Sequence, residues 1–202
     1  MKKTILNLGC GKTRIPNSIG VDCIKLEKFV DIVHDLNVTP YPFSNNFADE
    51  IHLYHVLEHI QKPVKILEEL YRILKINGIL YIRVPHFSSL GAFSDISHIR
   101  PYGYTSFDFL EKENCFHYYS KATFKIIKKE IKYFGLYPNS GVFAQYIHKN
   151  ECNYIVRPFV RLINFIIALS PVFFERLWCY WVGGAGEVHV ILKKKNNYKL
   201  KN

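Results

Sequence analysis

LNLGCGKT, residues 6–13, runs from a short apolar stretch straight into a turn bounded by glycines. Thr4 to Leu8 has the composition of a buried strand, and Gly9 and Gly11 let the backbone beyond it approach a ligand with no Cβ in the way. In an open α/β sheet the carboxyl end of such a strand is where ligands bind. A dinucleotide site would call for a third glycine and an acid about 20 residues further on. Here Arg14 stands at the third position, and the next acid at a strand end, Asp22, comes eleven residues after Gly11. So short a connection leaves almost no room for a helix to hold a pyrophosphate.

Working outward from this turn, short apolar runs alternate with polar chain. Ser18 to Asp22, Val30 to Val33 and Glu50 to Tyr54 read as strands. Pro63 marks a helix start, with Leu67, Leu70, Tyr71 and Leu74 at helical spacing until Asn77-Gly78, and Ile79 to Val84 forms a fifth strand that Pro85 ends. The alternation predicts right-handed crossovers and an α/β fold built on a doubly wound, mostly parallel sheet. Residues 86–119 are rich in His, Tyr, Phe, Ser and Asp without a clean period, which suits a substrate-binding insertion. Ser120 is expected to cap a helix on which Phe124, Ile127, Ile131 and Phe134 share a face and which Gly135 ends, before a strand near Leu136 to Phe143.

Tyr154 to Trp181 is strongly apolar, yet Arg157, Arg161, Asn164, Pro171, Glu175 and Arg176 interrupt it. No uninterrupted run in it can span the ~30 Å of a bilayer's hydrocarbon core. A packed helical insertion over 145–182 is expected, with contact to a membrane surface or a second subunit as the alternative. Glu187 to Lys193, EVHVILK, alternates like an edge strand of the same sheet. The organisation is then one domain over 1–195 followed by a basic tail, 196–202.

The chain has 202 residues, 49% of them hydrophobic and 15% aromatic, enough for one substantial core. Its five cysteines, Cys10, Cys23, Cys115, Cys152 and Cys179, are scattered with no CxxC pair, so neither a disulfide framework nor a structural zinc is indicated, and a reducing compartment fits. The opening MKKTILNLGCG turns to strand and glycine turn too soon for a signal peptide, so a cytoplasmic protein is expected. The net charge of +10 comes partly from five lysines in the last ten residues and from Lys121, Lys125, Lys128, Lys129 and Lys132. That distribution suits solvated surfaces or attraction of an anionic partner.

LNLGCG, the acid of GVD at Asp22, the HDL of His34 to Leu36, and LYHVLEHI with the following ILEELYRILKINGILYIRVP are similar to class I S-adenosylmethionine-dependent methyltransferases. The shortened first crossover, FSDISHIRPYGYTSFDFL and the closing GEVHVILK resemble bacterial members associated with surface-polysaccharide and lipopolysaccharide synthesis. The resemblance implies a Rossmann-like fold with an antiparallel last strand, and S-adenosylmethionine as cofactor with S-adenosylhomocysteine as product. It implies that Gly9, Cys10 and Gly11, with Asn7 just before them, surround the methionine part, and that Asp22 accepts hydrogen bonds from the ribose. Asp35 and Leu36 would flank the adenine, and His55 and Val56 would line the methionine side. The family often has an acid at the position of Asn7 and a glycine at that of Thr13.

Methyl transfer to oxygen needs alignment, a dry pocket and a group to take the hydroxyl proton, for which neutral imidazole is the usual partner. His59, His86, His98 and His117 all fall in segments expected at the sheet's carboxyl edge. His98 is the first choice as base, with Asp95 to orient it and His86 in reserve, while His59, Arg100 and Tyr102 are expected to hold the acceptor, Arg100 through a phosphate or carboxylate. Enzymes acting on base amines carry an Asn- or Asp-Pro-Pro-aromatic turn after the fourth strand, where this chain has Tyr54-His55-Val56-Leu57. The expected acceptor is a small carbohydrate or phosphorylated molecule, not a nucleic acid; a binding module that holds RNA on its Lys-rich helix and tail is the alternative. Histidines and acids do not recur at ligand spacing along any one element, so no metal site is expected.

Overall fold

The computed structural model describes residues 3–133, 156–181 and 184–196. Its strands are β1 (Ile5–Leu8), β2 (Ser18–Asp22), β3 (Ile32–Val33), β4 (Ala48–Tyr54), β5 (Leu74–Pro85), β6 (Phe124–Lys132) and β7 (Glu187–Lys194). They form one sheet in the order β3-β2-β1-β4-β5-β7-β6. β1, β2, β3, β4 and β5 pair in parallel, and β7 runs antiparallel to both β5 and β6. The order reverses at β1, so the carboxyl ends of β1 and β4 open a crevice there.

The connection from β1 to β2 contains turns and no helix, as the short spacing requires. Helix α1 (Pro63–Ile73) carries the crossover from β4 to β5, with Pro63 in its first turn and Ile66, Leu67, Leu70 and Ile73 buried. It ends sooner than the Asn77-Gly78 signal suggests. Leu74 turns to extended backbone and pairs with Ala48, while Asn77 takes a φ of 66° inside the long β5. Leu74 satisfies both the helical spacing and the first inward position of the strand, so periodicity could not tell the two apart.

Residues 124–132 form a strand, not the expected helix. A bulge between Ile126 and Lys128 inserts one residue, so Phe124, Ile126 and Ile131 reach the buried side at intervals that imitate a helical face. β6 therefore takes the edge, and β7, expected there, lies inside the sheet between β5 and β6. Phe134, Gly135 and the strand anticipated near 136–143 lie outside the described residues.

The main core lies on one face of the sheet. Leu6, Leu8, Ile51, Leu53, Leu80, Ile82, Val188 and Val190 meet α1 and the insertion residues Tyr102, Phe107 and Leu110 there. The opposite face presents His52, Tyr54, Tyr81, Arg83 and His189, where the His52 and Tyr81 rings stack at 4.5 Å and Arg83 lies over Tyr54.

Helix α2 (Leu90–Ser94) is a short turn capped by Ser89. Helix α3 (Val156–Leu169) and the helical stretch Pro171–Trp181 meet at a bend of 99°. Val160, Ile167 and Phe174 are buried, whereas Phe159, Phe165, Leu169, Tyr180 and Trp181 stand mostly exposed. Among the described residues no single helix is long and apolar enough to cross a membrane.

Candidate active site at the carboxyl edge of the sheet

The glycine turn after β1 is fixed from three sides. Gly9 and Gly11 adopt φ of 63° and 49°, the left-handed region that glycine enters without strain. A Cβ on Gly9 would lie 2.3 Å from Val56 Cγ2, while one on Gly11 would meet nothing within 4 Å, so Gly9 is packed and Gly11 faces open space. The Gly11 N–H donates to Asp22 Oδ2 at 2.8 Å and the Ile24 N–H to Oδ1 at 3.2 Å. Asp22 thus ties the turn to the end of β2, and each carboxylate oxygen keeps acceptor capacity for another donor.

The other residues expected around a cofactor divide into two sets. Asn7 is buried and donates to the Thr13 carbonyl at 2.9 Å, so its side chain braces the turn from below. The nearby Thr13 Oγ1 is buried with no hydrogen-bond partner among the described residues. Cys10 is also buried, its thiol pushed up to about 11 by burial and by the charge of Asp22. Asp35 is exposed and accepts from the Asn37 N–H at 2.9 Å. Leu36 and Val56 point into the main core, so their backbone alone faces the rim.

His55 closes β4 with a φ of 55°, unusual for a residue with a side chain. Its Nδ1 lies 3.3 Å from Glu58 Oε1 and its Nε2 3.1 Å from Glu187 Oε1. Burial opposes a charge on this ring, but the hydrogen bonds and charges of Glu187 and Glu58 outweigh it and raise its pKa to about 9. His55 is therefore an imidazolium at neutral pH.

Beside it, a one-turn 3-10 helix, Leu57–His59, carries Glu58 and His59. The Ile99 N–H donates to the Glu58 carbonyl at 2.8 Å, which docks the insertion on this turn and sets the His98 ring 4.7 Å from that of His59. His98 Nδ1 donates to the Ala92 carbonyl at 3.3 Å, and its Nε2 stands 4.0 Å from Glu58 Oε1 and 3.8 Å from Asp95 Oδ2. Asp95 is therefore near His98 but not hydrogen-bonded to it; its Oδ1 accepts from the Ser97 N–H and hydroxyl. Glu58, unremarked in the sequence, is the buried acid at the centre of this group, and its place three residues after His55 in HVLEH was the available signal.

Several expected site residues have other parts. His86 is fully buried, its Nδ1 bonded to Ser88 Oγ at 2.7 Å and its Nε2 to Glu175 Oε1 at 3.1 Å, so neither nitrogen is open to an acceptor. Tyr102 is a core residue: its hydroxyl donates to the Leu57 carbonyl at 3.0 Å, its ring stacks on Phe107, and burial raises its pKa. Arg100 donates to the Gln61 carbonyl at 2.9 Å, which holds the insertion against the start of α1. His117 bonds to the Phe109 carbonyl and to Thr123, just before β6, and so lies at the amino edge of the sheet, opposite the site.

Residues 16–82, which run from β2 into β5, match the family model of the methyltransferase domain. No curated protein matches the sequence. Among solved structures, a SAM-dependent methyltransferase from Archaeoglobus fulgidus is similar at 20% identity and a TM-score of 0.57, over 95% of this chain and 86% of that one. The methyltransferase solved in complex with the Trm112 methyltransferase activator of Haloferax volcanii is similar at 14% identity and a TM-score of 0.55, over 98% and 84%. A third, a methyltransferase from Bacillus halodurans, is 12% identical at a TM-score of 0.53, over 96% and 94%. At these identities the structural likeness establishes the fold, and the domain match speaks to the chemistry. An open turn over Gly11, with the Asp22 carboxylate beside it, suits a nucleoside cofactor that needs no pyrophosphate helix. The matched segment is that of a methyltransferase domain, and the fold is one that S-adenosylmethionine-dependent methyltransferases share.

Proposed function

We propose that this methyltransferase acts on a hydroxyl of a sugar, sugar nucleotide or related anionic small molecule used in surface-glycan synthesis. The observation that carries this reading is the group formed by Glu58, His59 and His98, next to the rim at His55 and Val56. A hydroxyl must lose a proton as it attacks, and imidazole nitrogens beside a carboxylate are suited to that task. S-adenosylmethionine supplies a methyl carbon already activated by positive sulfur. The chain's own residues align it: the backbone at Gly9, Cys10 and Gly11 takes the methionine end, Asp22 takes the ribose hydroxyls, and Asp35 with the backbone of Leu36 borders the adenine. The His55 imidazolium sits at the methionine side and balances the carboxylates around it. His98 faces the acceptor, with Asp95 beside it.

Labelled S-adenosylmethionine offered with a panel of nucleotide-sugars and glycans tests the reading. Label in an ether linkage that is lost on His98→Ala supports it; label only in amines or carboxylates, or in nothing, rejects it. The RNA-binding alternative has less behind it. Four of the five clustered lysines fall on the edge strand β6, not a helix, and Lys128, Lys129 and Lys132 are paired with Glu130 or Asp108, which lowers the net field that a phosphate backbone would meet.

The exposed apolar face of 158–181 is read as a seat on an anionic bilayer surface, with the enzyme working from the cytoplasm. Aromatic side chains at Phe165, Tyr180 and Trp181 stand out beside the exposed Arg161 and Arg176, a combination that favours a lipid interface with negative headgroups.

A further inference from the structure

Glu58 is 1% exposed; its Oε1 has His55 Nδ1 at 3.3 Å, and its Oε2 has no hydrogen-bond partner among the described residues. A buried carboxylate in that state is costly unless positive charge compensates it. The nearest basic side chain, His55, meets Glu58 through Nδ1 and turns its other nitrogen to Glu187.

We propose that Glu58, His59 and His98 bind one divalent transition-metal ion, and that this ion receives the acceptor's oxygen. One ligand atom from each residue lies within 4.8 Å of the other two, close to the ~4 Å that two ligands of one ion, each about 2 Å from it, can span. Both imidazoles are already set in the tautomer that such an ion needs. His98 Nδ1 donates to the Ala92 carbonyl, and His59 Nδ1 lies 3.3 Å from the Ser97 carbonyl and 3.0 Å from Ser97 Oγ. Backbone contacts of this kind fix ligating histidines and leave Nε2 with its lone pair outward.

On His98 that lone pair faces Glu58 Oε1 at 4.0 Å and Asp95 Oδ2 at 3.8 Å. Those separations are too long for hydrogen bonds and suit two ligands on opposite sides of a small cation. Two imidazoles and one carboxylate select zinc, manganese, iron or cobalt over magnesium or calcium, which prefer all-oxygen shells. Three protein ligands leave positions for the acceptor, and Asp95 is at hand for a fourth.

The ion deepens the proposed transfer and rests on it for its substrate. A hydroxyl bound to the cation becomes acidic enough to release its proton to water. The resulting oxygen attacks the methyl carbon, the carbon–sulfur bond breaks, and sulfur keeps the electron pair as a neutral thioether. His98 then holds the ion and is not itself the base. Ion binding as such depends on no acceptor and can be measured apart from transfer.

Chelator-treated full-length protein is titrated with Co²⁺, followed by its visible absorption, and with Zn²⁺ by calorimetry. One ion per chain is expected, with affinity falling about 100-fold or more in Glu58→Gln and His98→Ala and unchanged in His117→Ala. Thermal melts without metal check that each variant folds, and His59→Ala replaces either that does not. No binding, or equal binding in all variants, means an adventitious ion only, held by exposed thiols such as Cys23 and Cys115, and overturns the site. Methyl transfer at an undiminished rate after chelation overturns the ion's part in the reaction. Normal ion binding with no methylated hydroxyl refutes the acceptor reading and leaves the site standing.

Discussion

Gly9 packs so closely on Val56 that a Cβ added to it would lie 2.3 Å from the valine's Cγ2. The contact packs the turn after β1 against the residue that follows His55. Gly9→Ala must therefore both displace Val56 and hold alanine at a φ near 63°. A destabilisation of about 1–3 kcal/mol is expected, with weaker binding of S-adenosylmethionine. Thermal melts and calorimetry measure the two effects; a variant with wild-type melting and affinity would show that the turn is not so constrained.

Asp22 holds the Gly11 amide and is proposed to hold the ribose as well. Asn at this position can still accept from Gly11 but lacks the charge and half the acceptor capacity. Asp22→Asn should keep the melting temperature near wild type while cofactor affinity falls about tenfold or more, since hydrogen bonds to charged groups contribute ~1.5–3 kcal/mol. Equal affinity in the two proteins would leave Asp22 as a brace for the turn alone.

Glu175 accepts from the Tyr104 amide and from His86 Nε2, and so straps the helical stretch 171–181 onto the insertion. In Glu175→Ala both donors lose their partner in a buried place. A loss of about 1–3 kcal/mol for each orphaned group is expected in urea unfolding, and limited proteolysis should cut the 158–181 region sooner. An unchanged midpoint would mean that apolar contacts alone hold the segment.

Glu69 accepts from Arg72 through both carboxylate oxygens and from the Tyr41 amide. The hydrogen bond from Arg72, against the opposing effect of burial, holds its carboxyl below the ordinary glutamate range. A group with a depressed native pKa adds stability that is complete above its unfolded value, about 4.3, and is lost as pH falls through the native one. Glu69→Gln should therefore be least stable relative to wild type at neutral pH, with the gap narrowing below about pH 4. A gap independent of pH would assign the effect to packing.

Vesicles test the outer face of 158–181. Sedimentation with phosphatidylglycerol vesicles should carry the protein down at low salt, release it at high salt, and fail for the Phe165→Ser/Trp181→Ser double variant. Neutral phosphatidylcholine vesicles should bind it weakly. If the wild type ignores both vesicle types and sediments as a dimer that the double variant breaks, the face is a subunit contact.

The glycine turn, the acid closing β2, the crossover helix opened by Pro63 and the strand closing the chain were legible because each is a local signal. A positive φ demands glycine, a helix start tolerates proline, and a half-buried strand alternates. β6 was misread because a bulge, which exists only where a partner strand imposes it, shifted its alternation toward a helical spacing. The pairing of Lys129 with Asp108 was beyond the reach of the sequence, since the two meet only in the folded chain.

By itself, then, the sequence determined the order of elements from β1 to β5 and the tight first crossover, which follow from contacts among near neighbours and from the period of burial, while the class of cofactor came from the resemblance of its motifs to a known family. Only the tertiary structure decided which histidines have both ring nitrogens engaged and which do not. His86 and His98 are alike in sequence, but one is held at both nitrogens by Ser88 and Glu175, while the other keeps its Nε2 4.0 Å from Glu58, forty residues away in the chain. Burial and the approach of opposite charges depend on distances in space, and spacing along a chain does not encode them until the sheet has brought its edges together.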